Sequence, residues 1–99
     1  MLQDLTPTSF EAHLDTPFRI HYGENTLEVM LYEVKAHEPH PGTRTQPFSI
    51  YFRSPGQLGA LPQATYRLEH GAMETMEIFI VPIGPDPKGG GMRYEAVFN

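Results

Sequence analysis

The chain has 99 residues, 39% hydrophobic and 19% charged with 6 Phe and 5 Tyr, enough apolar surface for one folded domain and too much for a disordered tract. The formal net charge is −5 and the 7 basic residues are scattered from Arg19 to Arg93, which argues against a nucleic-acid partner, since a phosphate backbone calls for a concentrated basic face. Cysteine is absent, so disulfides, thiol nucleophiles and thiolate metal sites are excluded.

The opening stretch MLQDLTPTSF lacks the basic and apolar regions of an export signal, and no run of about 18 apolar residues follows that would insert in a membrane. These features predict a soluble, cytoplasmic chain that becomes surface- or particle-associated only as part of an assembly. Thr6 stands where a helix cap accepts from free amides, Pro7 suits the first helical position, and Leu5 and Phe10 occupy the places of a hydrophobic staple. A helix over 7–14 is predicted, with Phe10 and Leu14 on one buried face, ended by Asp15-Thr16-Pro17 and plugging one end of a sheet.

Phe18 to Tyr22 alternates apolar and polar residues, turns at Gly23-Glu24-Asn25 and returns through Thr26 to Val34. In the return arm Leu27, Val29 and Leu31 lie on one face and Met30, Tyr32 and Val34 on the other, so the strand is expected to be covered on both sides over part of its length. Residues 35–47, with Pro39, Pro41 and Pro47, read as a loop, and Phe48, Ile50 and Phe52 mark the next strand, ended by Ser54-Pro55-Gly56.

Leu61 to Pro82 reads as the central hairpin. Ala64, Tyr66 and Leu68 alternate in its first arm, His70-Gly71-Ala72-Met73 forms its loop with Gly71 available for a positive φ, and Met76 and Ile78 begin its second arm. Ile78 to Val81 is apolar on both faces and is expected to be covered on both. Pro62 and Pro82 bracket the ribbon, as prolines do at strand ends. A flexible loop with Gly89, Gly90 and Gly91 at its tip then leads to a last strand that turns Tyr94, Ala96 and Phe98 to the core. The reading is an all-β domain spanning 1–99, a small antiparallel barrel or two-sheet sandwich of about six strands with one short N-terminal helix and no visible internal repeat.

The segments LTPTSFEAHLDTPFRI, LPQATYRLEH, EIFIVPIGPDP and RYEAVFN together resemble a family of short, uncharacterised bacterial proteins about as long as this chain. The resemblance implies no established activity. Its members resemble components encoded near phage-tail-like or surface-fibre proteins, which implies an assembly role.

Among candidate chemistries, His37-Glu38-Pro39-His40 is the densest ligand cluster and would serve a small metal-dependent hydrolase, but two imidazoles want a third protein ligand, and a solvated loop explains them as well. No metal or other cofactor is therefore assigned. Arg67, Glu69, Glu74 and Glu77 lie on a polar face where catalysis would need a cleft that desolvates one carboxyl. Lys88-Gly89-Gly90-Gly91 is not a phosphate loop, because the lysine precedes the glycines and a strand follows. The chain reads as a non-enzyme that binds another bacterial protein, or itself as a homo-oligomer, through sheet edges, an exposed Tyr51 and the Gly89, Gly90, Gly91 tip. A small-ligand-binding barrel is the other alternative.

Overall fold

A computed structural model describes residues 5–39, 41–42, 46–55, 60–89 and 91–98. Among them lie one helix, α1 (Pro7–Glu11), and six strands: β1 (Pro17–Tyr22), β2 (Asn25–Ala36), β3 (Phe48–Arg53), β4 (Ala64–His70), β5 (Met73–Pro85) and β6 (Met92–Phe98). They close into an antiparallel barrel in the order β1-β2-β3-β6-β5-β4, which settles barrel over sandwich. Exchanging β1, β2 and β3 for β4, β5 and β6 leaves every neighbour relation unchanged. The barrel is thus two β-β-β units in pseudo-twofold arrangement, although the two halves share no visible sequence repeat.

Each unit has a long middle strand that changes partner half-way. β2 pairs with β1 from Asn25 to Met30 and with β3 from Met30 to Ala36, while β5 pairs with β4 up to Ile80 and with β6 from Val81 onward. Both carry a bulge on the second half, at Tyr32 and at Ile83. A bulge adds one residue and sharpens the local twist, which bends a strand from one wall of a small barrel into the next. In β2 it also reverses the alternation, so that Val34 packs against the core that Leu27, Val29 and Leu31 fill, while Met30 is exposed.

The partner change explains why β5 does not stop at Pro82. The strand runs to Pro85, with Pro82 opposite Tyr94 immediately before the bulge, a place where a missing amide is tolerated. Gly84, at φ +126, follows that bulge in a conformation that only glycine takes readily. The β4–β5 turn is shorter than the sequence suggests, just Gly71-Ala72, and Gly71 does not use a positive φ there; Gly23 does in the β1–β2 turn, at φ +58.

At one end of the barrel α1 is held by a capping box: the Ser9 amide donates to Thr6 Oγ1 and the Thr6 amide donates to Ser9 Oγ. The helix ends at Glu11 rather than near Leu14. Asp15 takes a positive φ of 63, and its amide donates to Leu31 O at 2.7 Å, so the chain leaves the helix to extend the β1–β2 ladder. Leu14 is turned away from the Phe10 face and is exposed. Phe10 is the buried residue of α1 and plugs the barrel, with its ring 5.5 Å from Phe98, 5.9 Å from Phe48 and 6.4 Å from Phe18. Full burial of such a ring contributes about 1.5–3 kcal/mol.

The interior is then filled by Ile20, Val29, Leu31, Ile50, Phe52, Leu68, Ile80 and Tyr94, one or two from each strand. Tyr94 is fully buried, and its hydroxyl accepts from the Leu61 amide at 2.9 Å, which ties the segment before β4 to the barrel wall. Tyr66 donates to Pro62 O in the same region.

Candidate functional site

Two regions of the surface depart from a plain polar barrel wall, and both lie where a long strand changes partner. The first is beside β2. Where β2 leaves β3, the end of β3 (Arg53), the following Ser54-Pro55 and the loop before β6 (Asp86 to Gly89) stand around a cavity of about 300 Å³, with Glu28, Val29 and Met30 as the opposite wall. Ser54 Oγ accepts from the Met92 amide and donates to Met92 O, carrying the β3–β6 ladder one residue further.

Asp86 is the anchor of that loop. Its side chain is 4% exposed; Oδ1 accepts from the Lys88 amide at 3.1 Å and Oδ2 lies 3.6 Å from Arg53 Nε, while its backbone amide donates to Gly91 O at 2.7 Å. The Arg53 guanidinium in turn sits over the Tyr32 ring, 4.4 Å from its centroid. Such stacking fixes the plane of the guanidinium and desolvates one face of it.

The second region is beside β5. The β5–β6 ladder ends at Val81↔Glu95, and Phe79 and Val97 each lie two residues beyond that last pair. Each is 52% exposed, the highest among the large hydrophobic side chains described. The expectation that Ile78 to Val81 is covered on both faces therefore fails: Ile78 and Ile80 are buried, while Phe79 faces out.

Several sequence candidates land elsewhere. Tyr51 is half-buried on the outer wall rather than exposed, its ring 6.2 Å from that of Tyr32. Burial raises its phenol above the ordinary value, and a hydrogen bond with Glu95 adds to the shift. Gly89 and Gly91 belong to the loop that Asp86 holds, and a Cβ on Gly89 would come 3.3 Å from Asp86 Oδ2; Gly90 lies outside the described residues. The loop expected to be a free tip is thus pinned by a buried carboxylate. In the 35–47 segment, His37 Nε2 is 2.7 Å from Ser49 Oγ and its amide donates to Pro47 O at 2.9 Å. Glu38 beside it is exposed, and His40 lies outside the described residues. Among the described residues no three His, Asp or Glu side chains converge as metal ligands.

The expected sheet edges are also changed by closure: with two neighbours for every strand, no strand is an edge along its whole length, although β5 and β6 have no ladder with each other beyond Val81 and Glu95. On the β1–β4 wall Glu69 accepts from Arg19 Nη2 at 3.0 Å and meets His21 Nε2 at 2.8 Å. The hydrogen bonds to Arg19 and His21 hold its carboxyl below the ordinary range, the opposite of what a general acid needs. Glu77 and Arg67, Cα partners across β4 and β5, are both exposed.

Comparison with known protein families matches residues 5–98 to the domain of unknown function DUF6916. The chain belongs to that family. Searches of curated proteins and of solved structures each found no match. The DUF6916 match spans α1 and all six strands, so the barrel as a whole is the family's unit.

Asp86, Arg53 and Phe79 were the residues that sequence reading passed over. The available signals were an acidic residue between two prolines, in Pro85-Asp86-Pro87, and a phenylalanine at the outward parity of an otherwise alternating strand.

Proposed function

We propose that this DUF6916 chain is a non-catalytic structural or adaptor module that docks onto a larger bacterial protein assembly of the phage-tail-like or surface-fibre-like kind. The observation that carries the reading is the position of Phe79 and Val97, two exposed apolar side chains just beyond the end of the β5–β6 ladder. An extended segment of an assembly protein fits that place: the halves of β5 and β6 beyond Val81 and Glu95 have no ladder with each other, so main-chain groups are available there beside an apolar anchor. Aromatic anchors of this kind dominate small interfaces. The resemblance of the sequence supplies the class of assembly.

The test is photo-crosslinking from position 79 in the native host, with the cross-linked peptide identified by mass spectrometry. A cross-link to an extended segment of a tail or fibre protein, lost in a Val97→Glu background, supports the reading. Cross-links only to a second copy of this chain would replace it with self-association. Partner capture that survives a Phe79→Glu, Val97→Glu double substitution would place the interface elsewhere.

A further inference from the structure

We infer that the cavity between β2, the end of β3 and the Asp86 loop is a binding site for a small amphiphilic monocarboxylate, a ligand with one carboxylate and a short apolar body. At about 300 Å³ the space matches the lower end of cavities that hold small molecules, about 300–1,000 Å³. Larger hollows elsewhere are less suited. The one beside α1, about 570 Å³, has Glu11 as the sole charged residue among the described residues that line it, and the one on the β1–β4 wall, about 420 Å³, is lined mainly by polar atoms.

The chemistry of the lining selects the ligand. Val29, Met30 and Pro55 give an apolar wall, and Arg53 and Lys88 bring two cations to it. Asp86 Oδ2 lies 3.6 Å from Arg53 Nε, and Tyr32 covers a face of the guanidinium at 4.4 Å. Neither Nη atom of Arg53 has a hydrogen-bond partner among the described residues, nor does the Lys88 ammonium.

Arg53 Nε is itself buried without a hydrogen bond, since its distance to Asp86 exceeds hydrogen-bond reach. A guanidinium held flat by stacking, with its outer fork open, is the arrangement that recognises a carboxylate in two parallel hydrogen bonds. A monoanion suits the lining better than a dianion. Arg53 and Lys88 are balanced by Asp86 and Glu28, so the lining is neutral overall, and a doubly charged phosphate would meet both carboxylates.

The probe is hexanoate, titrated into the intact chain while the backbone amides of Met30, Lys88 and Gly89 and the Arg53 Nε–H signal are followed by NMR. Saturable shifts at these positions, with Kd about 1 mM, are expected for so small a ligand. Neutral hexanamide should bind at least about tenfold more weakly, and so should hexanoate to the Arg53→Gln and Lys88→Gln variants. Lys88 is exposed, so its variant reports on binding even if Arg53→Gln disturbs the loop. Absence of saturable shifts, equal binding of hexanamide, or inorganic phosphate displacing hexanoate with comparable affinity would each overturn the assignment. Shifts confined to Phe79 and Val97 would overturn it as well.

Discussion

Thr16 and His70, 54 residues apart, meet through Oγ1 and Nε2 at 3.0 Å and join the end of the helical segment to the β4–β5 turn. The other ring nitrogen, Nδ1, accepts from the Ala72 amide at 2.9 Å, so the neutral ring carries its proton on Nε2 and donates to Thr16, whose hydroxyl donates to His13 O. The ring also lies 4.4 Å from those of both Phe18 and His13. A second proton on Nδ1 would set two N–H groups against each other.

This geometry gives a pH dependence of known sign. Burial, and then the neighbouring His13, lower the His70 pKa from 6.5, so the folded state binds fewer protons than the unfolded chain just below that value. Stability is therefore full above pH 6.5 and falls as the pH drops through 6.5 toward the folded-state pKa. Glu69, whose pKa is lowered from 4.5, loses its contribution only below that range. Urea unfolding from about pH 8 to about pH 5 should show the loss in the native chain and a flatter profile in His70→Gln. Equal slopes in the two proteins would refute the assignment.

Phe10→Ala should destabilise the barrel by about 3–5 kcal/mol, because three aromatic neighbours lose their packing partner and the plug leaves a cavity. Leu14→Ala, at an exposed position that sequence periodicity had placed on the same face, should stay within about 0.5 kcal/mol of the native chain. Chemical denaturation of the two variants side by side checks both, and similar losses would mean that the helix continues past Glu11.

Gly84→Ala should cost about 1–3 kcal/mol through backbone strain at φ +126, although the nearest atom to the added Cβ, Arg93 Nη2, is 3.7 Å away and leaves room for it. Gly71→Ala should be neutral or stabilising by about 0.4–1 kcal/mol, since that glycine has no positive φ and open space around it. Thermal melts of the pair give the contrast directly, and its reversal would place the strained glycine in the wrong turn.

Asp86→Ala should lower stability by about 1–3 kcal/mol, since the Lys88 amide loses its acceptor and Arg53 loses its counter-ion. Asp86→Asn keeps an oxygen for the Lys88 amide and should lose less. Hydrogen exchange at Lys88 should quicken in the alanine variant and remain slow in the asparagine variant. Fast exchange in the native protein would contradict the anchoring role.

The sequence determined by itself the elements whose causes are local. The Thr6-Pro7 cap, the period-2 alternation around Phe18, Phe48, Ala64, Met76 and Tyr94, and the turn at Gly23 each depend on neighbours a few residues away, so six strands and one helix were legible, as was the all-β class. Tertiary structure decided whatever depends on which strand lies beside which. Ring closure left no strand an edge along its whole length, the partner changes carried β5 through Pro82, and the bulge at Tyr32 turned Val34 inward. The same partner changes left Phe79 bare and opened the cavity beside Arg53, because a strand that crosses from one neighbour to the next stops shielding the wall it leaves. No periodicity along the chain records that crossing, since it is fixed by the twist needed to close six strands into a ring.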